Sequence, residues 1–124
     1  MRMAFEEVSP GVLVVRYERG DQLAPESQAA LLRRLEECRG PVALAFEVQS
    51  GVSSVPVDVP TFWLGVTGRA ELQIRAMAIV TRAVLVRVAA RGFSLANIAR
   101  GVALEVRTFE ELAPARAWCA EHLR

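Results

Sequence analysis

The chain has no lysine: all fifteen of its basic residues are arginine. That absence excludes Schiff-base chemistry on a lysine amine and the phosphate-binding lysine of a P-loop. Histidine occurs once, as His122, three positions from the end. A Ser-His-Asp or Cys-His arrangement would have to be built on that residue, at a chain end where helices fray. The two cysteines, Cys38 and Cys119, are too few for a disulfide framework or a four-cysteine zinc site. Both read as buried or half-buried thiols in helical segments. No apolar run approaches the ~18–20 residues of a membrane span. The opening MRMAFEEVSPG sets two glutamates where a signal peptide carries its apolar stretch. The expectation is a cytoplasmic protein with no membrane insertion.

The residues that are present describe one compact domain spanning 1–124, with 52% hydrophobic and 23% charged residues. Net charge is +1, but residues 1–62 carry six arginines against nine acids and residues 63–124 carry nine against five. Arginines scattered along helices read as solvated surface, and no nucleic-acid partner is expected. The paired glutamates at 6–7, 36–37 and 110–111 diverge on a strand or a helix, so they do not form a carboxylate dyad. QSGVS misses the G-x-S-x-G serine elbow, and no G-x-G-x-x-G loop or Walker sequence occurs. The reading is therefore of a protein that is not an enzyme and needs no cofactor and no metal.

Hydrophobic periodicity sets the order of elements. Met3–Val8 and VLVVRY (Val12–Tyr17), separated by Ser9-Pro10-Gly11, form an antiparallel pair. APESQAALLRRLEECRG has Pro25 in a first turn, Gly40 as a stop, and Gln28, Leu31, Leu32, Leu35 and Cys38 on one face. PVALAFEV and AMAIVT read as strands covered on both sides. Between them, a loop containing Ser50, Ser53 and Ser54 leads to a short helix from about Pro60 to Thr67, with Phe62 and Trp63. A longer helix runs from about Arg82 to Arg100. Val88, Gly92, Leu95 and Ala99 are expected to face the sheet, leaving Val86, Ala90, Phe93 and Asn97 outward, with burial of Phe93 by a slightly rotated or broken helix as the alternative. The last strand is placed at Val102–Val106. A terminal helix starts near Glu111, since Pro114 is tolerated only in a first turn, and turns Leu112, Ala115, Trp118 and Cys119 to the core. The expected core is Leu31, Leu35, Leu44, Phe46, Ile79, Val80, Val88, Leu104, Phe109 and Trp118.

The resulting α/β order, ββαβαβαβα, with the terminal VRTFEELAPARAWCAEHL, resembles the STAS-like domains of anti-sigma-factor antagonists and sulfate-transporter tails. MAIVTRAVLVRVAARGF is similar to the strand, arginine-bearing turn and helix of their bacterial single-domain members, and the resemblance covers essentially the whole chain. It implies a mixed sheet with helices packed on it, and a regulatory or adaptor protein working through protein partners. It further implies that a kinase acting as an anti-sigma factor phosphorylates a serine at the start of the second helix. This chain departs from that pattern, because Pro56-Val57-Asp58 stands at the position and no serine does. Ser53, Ser54 and Thr61 are the nearby hydroxyls, and Asp58 supplies a fixed negative charge. The expectation is a domain not switched by phosphate there. Partner contacts are expected at Trp63, Arg82, Val86 and Phe93, with an anti-sigma-factor-like kinase or signalling protein as the partner and a homodimer compatible with this reading. The alternative is a small carrier for an apolar or lipid-like ligand, which a cavity beneath Phe62, Trp63 and Phe93 would favour.

Overall fold

The computed structural model describes residues 4–17, 25–49 and 51–124. Met3, Ser50 and the side chain of Gln28, all placed from the sequence above, lie outside what is described. The elements are β1 (Ala4–Ser9), β2 (Val12–Tyr17), α1 (Pro25–Glu37), β3 (Val42–Val48), α2 (Asp58–Thr67), a single 3-10 turn at Ala70–Leu72, β4 (Ile74–Val80), α3 (Val84–Ala99), β5 (Glu105–Phe109) and α4 (Leu112–Glu121). Their order is the one the periodicity predicts. One five-stranded sheet runs β1-β2-β3-β4-β5. β1 and β2 are antiparallel and the other pairs are parallel. A two-residue turn suffices for the first pair, whereas each parallel neighbour requires a crossover, which α1, α2 and α3 supply.

Strand alternation divides the molecule into two cores of different grain. On one face Leu13, Val15, Leu44, Phe46, Met77 and Ile79 meet α1 through Leu31 and Leu35, α2 through Val59 and Trp63, and α3 through Val86 and Phe93. On the other face Val12, Val14, Ala43, Ala45, Ala76 and Ala78 meet, among the described helices, α4 through Ala115 and Cys119. Three helices cover the large side chains. The alanines let a single helix lie close over β3 and β4.

α3 runs unbroken through Gly92 and ends in a Schellman arrangement. Gly101, at φ +73°, donates to Ile98 O at 3.0 Å, and Val102 N donates to Asn97 O at 2.9 Å. That cap uses Arg100–Val102, so β5 starts at Glu105 and not at Val102 as expected. α2 likewise begins at Asp58, ahead of the expected Pro60.

The largest correction concerns the rotation of α3. Val86, Ala90, Phe93 and Asn97 are buried, while Val88 and Leu95 are 62% and 57% exposed. Val88 therefore leaves the expected core, and Val86 and Phe93 are not partner contacts. The same holds for Trp63, which is 2% exposed. Asn97 explains the inversion. Its Oδ1 lies 2.9 Å from Thr67 Oγ, and its Nδ2 donates to Phe93 O at 2.9 Å. A polar residue that satisfies itself inside can sit on the inner face, and periodicity alone assigns it to solvent. Leu104, Phe109 and Trp118 are half-buried. Trp118 packs between the rings of Phe109 and His122, at centroid distances of 5.6 and 4.3 Å.

Candidate interaction surface on the third helix

With α3 rotated as it is, the side turned to water is apolar. Val84, Leu85, Val88, Leu95 and Ile98 are all more than half exposed. At 100° per residue, Leu85, Val88, Gly92, Leu95 and Ala99 trace one stripe with the 3-4-3-4 spacing of a helix-packing seam. Isolated exposed leucines are ordinary, but a contiguous stripe directly opposite the buried face is the kind of surface to which partners dock. Gly92 lies in the middle of the stripe with nothing within 4 Å of where a Cβ would stand. An incoming helix can approach the backbone there.

The charged residues of α3 itself are all arginine. Between Glu71 and Glu105 the sequence holds five arginines and no acid. Arg82 pairs with Glu111 across the connections that leave β4 and β5. Arg87 donates to Arg82 O at 3.3 Å, and Arg91 lies one turn further along the same flank. Neither Arg87 nor Arg91 has a carboxylate partner among the described residues. Arg82 is exposed, but the patch of Val86 and Phe93 expected beside it is buried, and its charge is already paired with Glu111.

The loop before α2 is open to solvent. Ser53, Ser54, Asp58 and Thr61 are all exposed. Thr61 Oγ donates to Val57 O at 2.8 Å, within its own helix. Val57, at the N-terminal boundary of α2, is 75% exposed and offers no capping oxygen. Asp58 in the first turn supplies the negative charge that the positive end of a helix favours.

An open crevice of about 820 Å³ lies at the carboxyl edge of the sheet, where the chain leaves β4 for one face and β5 for the other. In parallel sheets such a divergence is where ligands settle. Most of its charged groups are paired, with Glu110 in no ion pair among the described residues. Arg16 pairs with Glu47 at 3.1 Å and with Glu6 at 3.0 Å, and Arg82 pairs with Glu111. Thr81 Oγ accepts from Ala83 N at 3.1 Å. Among the described residues, no group of three or more His, Cys, Asp or Glu is placed to hold a metal. His122 Nδ1 lies 3.0 Å from Trp118 O. No helix among the described residues is long and apolar enough to cross a membrane.

The thiols give a direct check of packing. Cys119 is fully buried and donates to Leu44 O at 3.5 Å. Burial pushes its thiol up to about 11, opposed only by a backbone contact with Ala78. Burial also raises the half-buried Cys38, and Arg34 partly offsets it. At pH 8, iodoacetamide is expected to modify Cys38 slowly and Cys119 only on unfolding, as read by mass spectrometry. The unfolded thiol ionises near ~8.5, so the contribution of Cys119 to stability is complete below that pH and is lost as pH rises toward 11. Rapid alkylation of native Cys119 would show that α4 is not docked over the alanines.

Compared with known proteins, the chain matches no family model, no curated protein and no solved structure.

Proposed function

We propose that this chain is a non-enzymatic adaptor of the STAS-like kind, which docks a helix of a protein partner on the outward face of α3. The observation that carries the reading is the apolar stripe Leu85, Val88, Leu95 and Ile98, flanked by Arg87 and Arg91. Apolar anchors at helical spacing suit a helix laid along them, and unpaired arginines on one flank call for carboxylates on the partner. A second copy is disfavoured, because two-fold packing centred on Gly92 brings the two Arg91 side chains toward each other. The STAS-like assignment rests on element order and on the two quoted segments. At the family's phosphoacceptor position Val57 offers no hydroxyl, so the docking state is constitutive.

The test uses a synthetic amphipathic helix with leucines at i, i+3, i+4 and i+7 and glutamates along one flank, against the same peptide carrying lysines. The glutamate peptide is expected to bind roughly tenfold more tightly at low salt, with the advantage shrinking toward 0.5 M salt. Leu95→Glu should abolish binding while leaving the thermal midpoint in place. A concentration-dependent dimer dispersed by Leu95→Glu would show instead that a second copy covers the stripe. Equal binding of both peptides would remove the charge argument, and binding of neither would overturn the docking reading.

A further inference from the structure

The outward stripe of α3 is continuous with a cleft on the side of the helix that faces α2. α2 and α3 are tied together toward their C-terminal ends, where the side-chain oxygens of Thr67 and Asn97 are 2.9 Å apart and Arg100 Nη1 donates to Leu64 O at 3.0 Å. Toward their N-terminal halves they part over the sheet, leaving an open cleft of about 50 Å³. Phe46, Met77 and Ile79 form its floor, and the half-buried Pro60 of α2 and Ala89 of α3 stand at its rim. Ala89 is four residues from Leu85 and three from Gly92, so the three are neighbours on the helix surface. Leu85 and Gly92 are exposed members of the stripe. A helix that covers them stands beside the mouth of the cleft.

The two flanks of the stripe differ in chemistry. Arg87 and Arg91 follow Leu85 and Ala89 by two residues each, which is about 200° around the helix, so the cationic flank points away from α2 and the apolar flank toward it. The walls of the cleft expose no polar atom. A charged or amide side chain entering it would lose its water and gain no hydrogen bond. Size selects as well as polarity. A water molecule needs ~10–15 Å³ and a cavity of ~150 Å³ takes benzene, so about 50 Å³ suits the last two or three carbons of an aliphatic side chain and excludes a ring.

We propose, building on the docking of a helix along α3, that the partner seats one leucine or methionine in the cleft between α2 and α3, on the flank opposite its carboxylates, and that this single anchor selects among acidic amphipathic helices. The end of the anchor lies against Met77 and Phe93, both of which line the cleft.

The experiment uses the glutamate peptide of the docking test, with each leucine replaced in turn by alanine, by phenylalanine and by asparagine, whose amide is close to the leucine end in shape. At one position alanine is expected to weaken binding roughly tenfold, through the buried carbons it lacks, and asparagine at least as much. Phenylalanine at that position should also bind more weakly than leucine. Ala89→Leu, which fills the rim, should erase the difference between leucine and alanine there and leave it intact at the other positions. Met77, which is 2% exposed, reports on the floor directly. In protein labelled with ¹³C-methyl methionine, its signal assigned by Met77→Leu, the methyl groups of the anchor are expected to give an intermolecular NOE to the Met77 methyl. A peptide resting on the outer face alone cannot reach it. Binding of the glutamate peptide without that NOE, or equal sensitivity of every leucine to Ala89→Leu, would overturn the anchor while leaving docking along α3 in place. Failure of every peptide to bind would remove both. The NOE in the unmutated protein decides the matter even if Ala89→Leu folds poorly.

Discussion

Phe93→Ala is expected to lower the unfolding free energy by about 3–5 kcal/mol, whereas Leu95→Ala, two residues further along the same helix, should change it by less than about 0.5 kcal/mol. Phe93 is 6% exposed and packs in the three-helix core, while Leu95 is 57% exposed on the opposite side. Removing the phenyl ring leaves a void between α3 and the sheet that neighbours already held by the Thr67–Asn97 contact can only partly fill. Removing the leucine side chain removes contacts with water. The pair of substitutions measures the rotation of α3 directly in a denaturant titration. The reverse order of losses would place Leu95 inward and Phe93 outward, and the apolar stripe on the outer face, with the docking proposed for it, would vanish. The same ordering separates two kinds of apolar residue on this helix, one buried in the core and one open to solvent.

Gly11→Ala is expected to cost on the order of 2–4 kcal/mol, although it adds one methyl group at the tip of a hairpin. Gly11 has φ +80°, a conformation that a side chain strains, and a Cβ there would stand 2.8 Å from Pro41 O and 2.9 Å from Leu123 Cδ1. The leucine end can swing aside. The carbonyl cannot, because it belongs to the segment entering β3, where Ala43 N donates to Gly11 O at 2.9 Å. The β1–β2 turn, the start of β3 and the end of the chain are therefore clamped at one point. Gly40→Ala is the control: Gly40 also has positive φ, +107°, but nothing lies within 4 Å of its added Cβ. Its cost should be near ~1 kcal/mol, from backbone strain alone. Equal losses at the two positions in chemical denaturation would mean that the hairpin tip moves away from Pro41 without penalty.

Sequence alone determined the order of elements, because each has its own short-range signal. VLVVRY and PVALAFEV are dense in residues that suit a pleated sheet, Pro25 and Pro114 stand where only a first helical turn accepts them, and Gly40 marks a stop. The missing lysines and the single histidine likewise bound the chemistry through composition, whatever the fold. Tertiary structure decided which side of each element faces inward. On α3 both sides carry apolar residues at helical spacing, so the periodicity is degenerate, and Asn97 tips a reading by polarity the wrong way. Beside Phe93 O on its own helix, the buried asparagine needs Thr67, thirty residues earlier on another helix, to satisfy its Oδ1. The same limit hid the α2–α3 cleft. Trp63 is visible in the sequence as an aromatic residue of a short helix, but that it is buried against Phe46 depends on where α2 crosses the sheet, and no local pattern records that meeting.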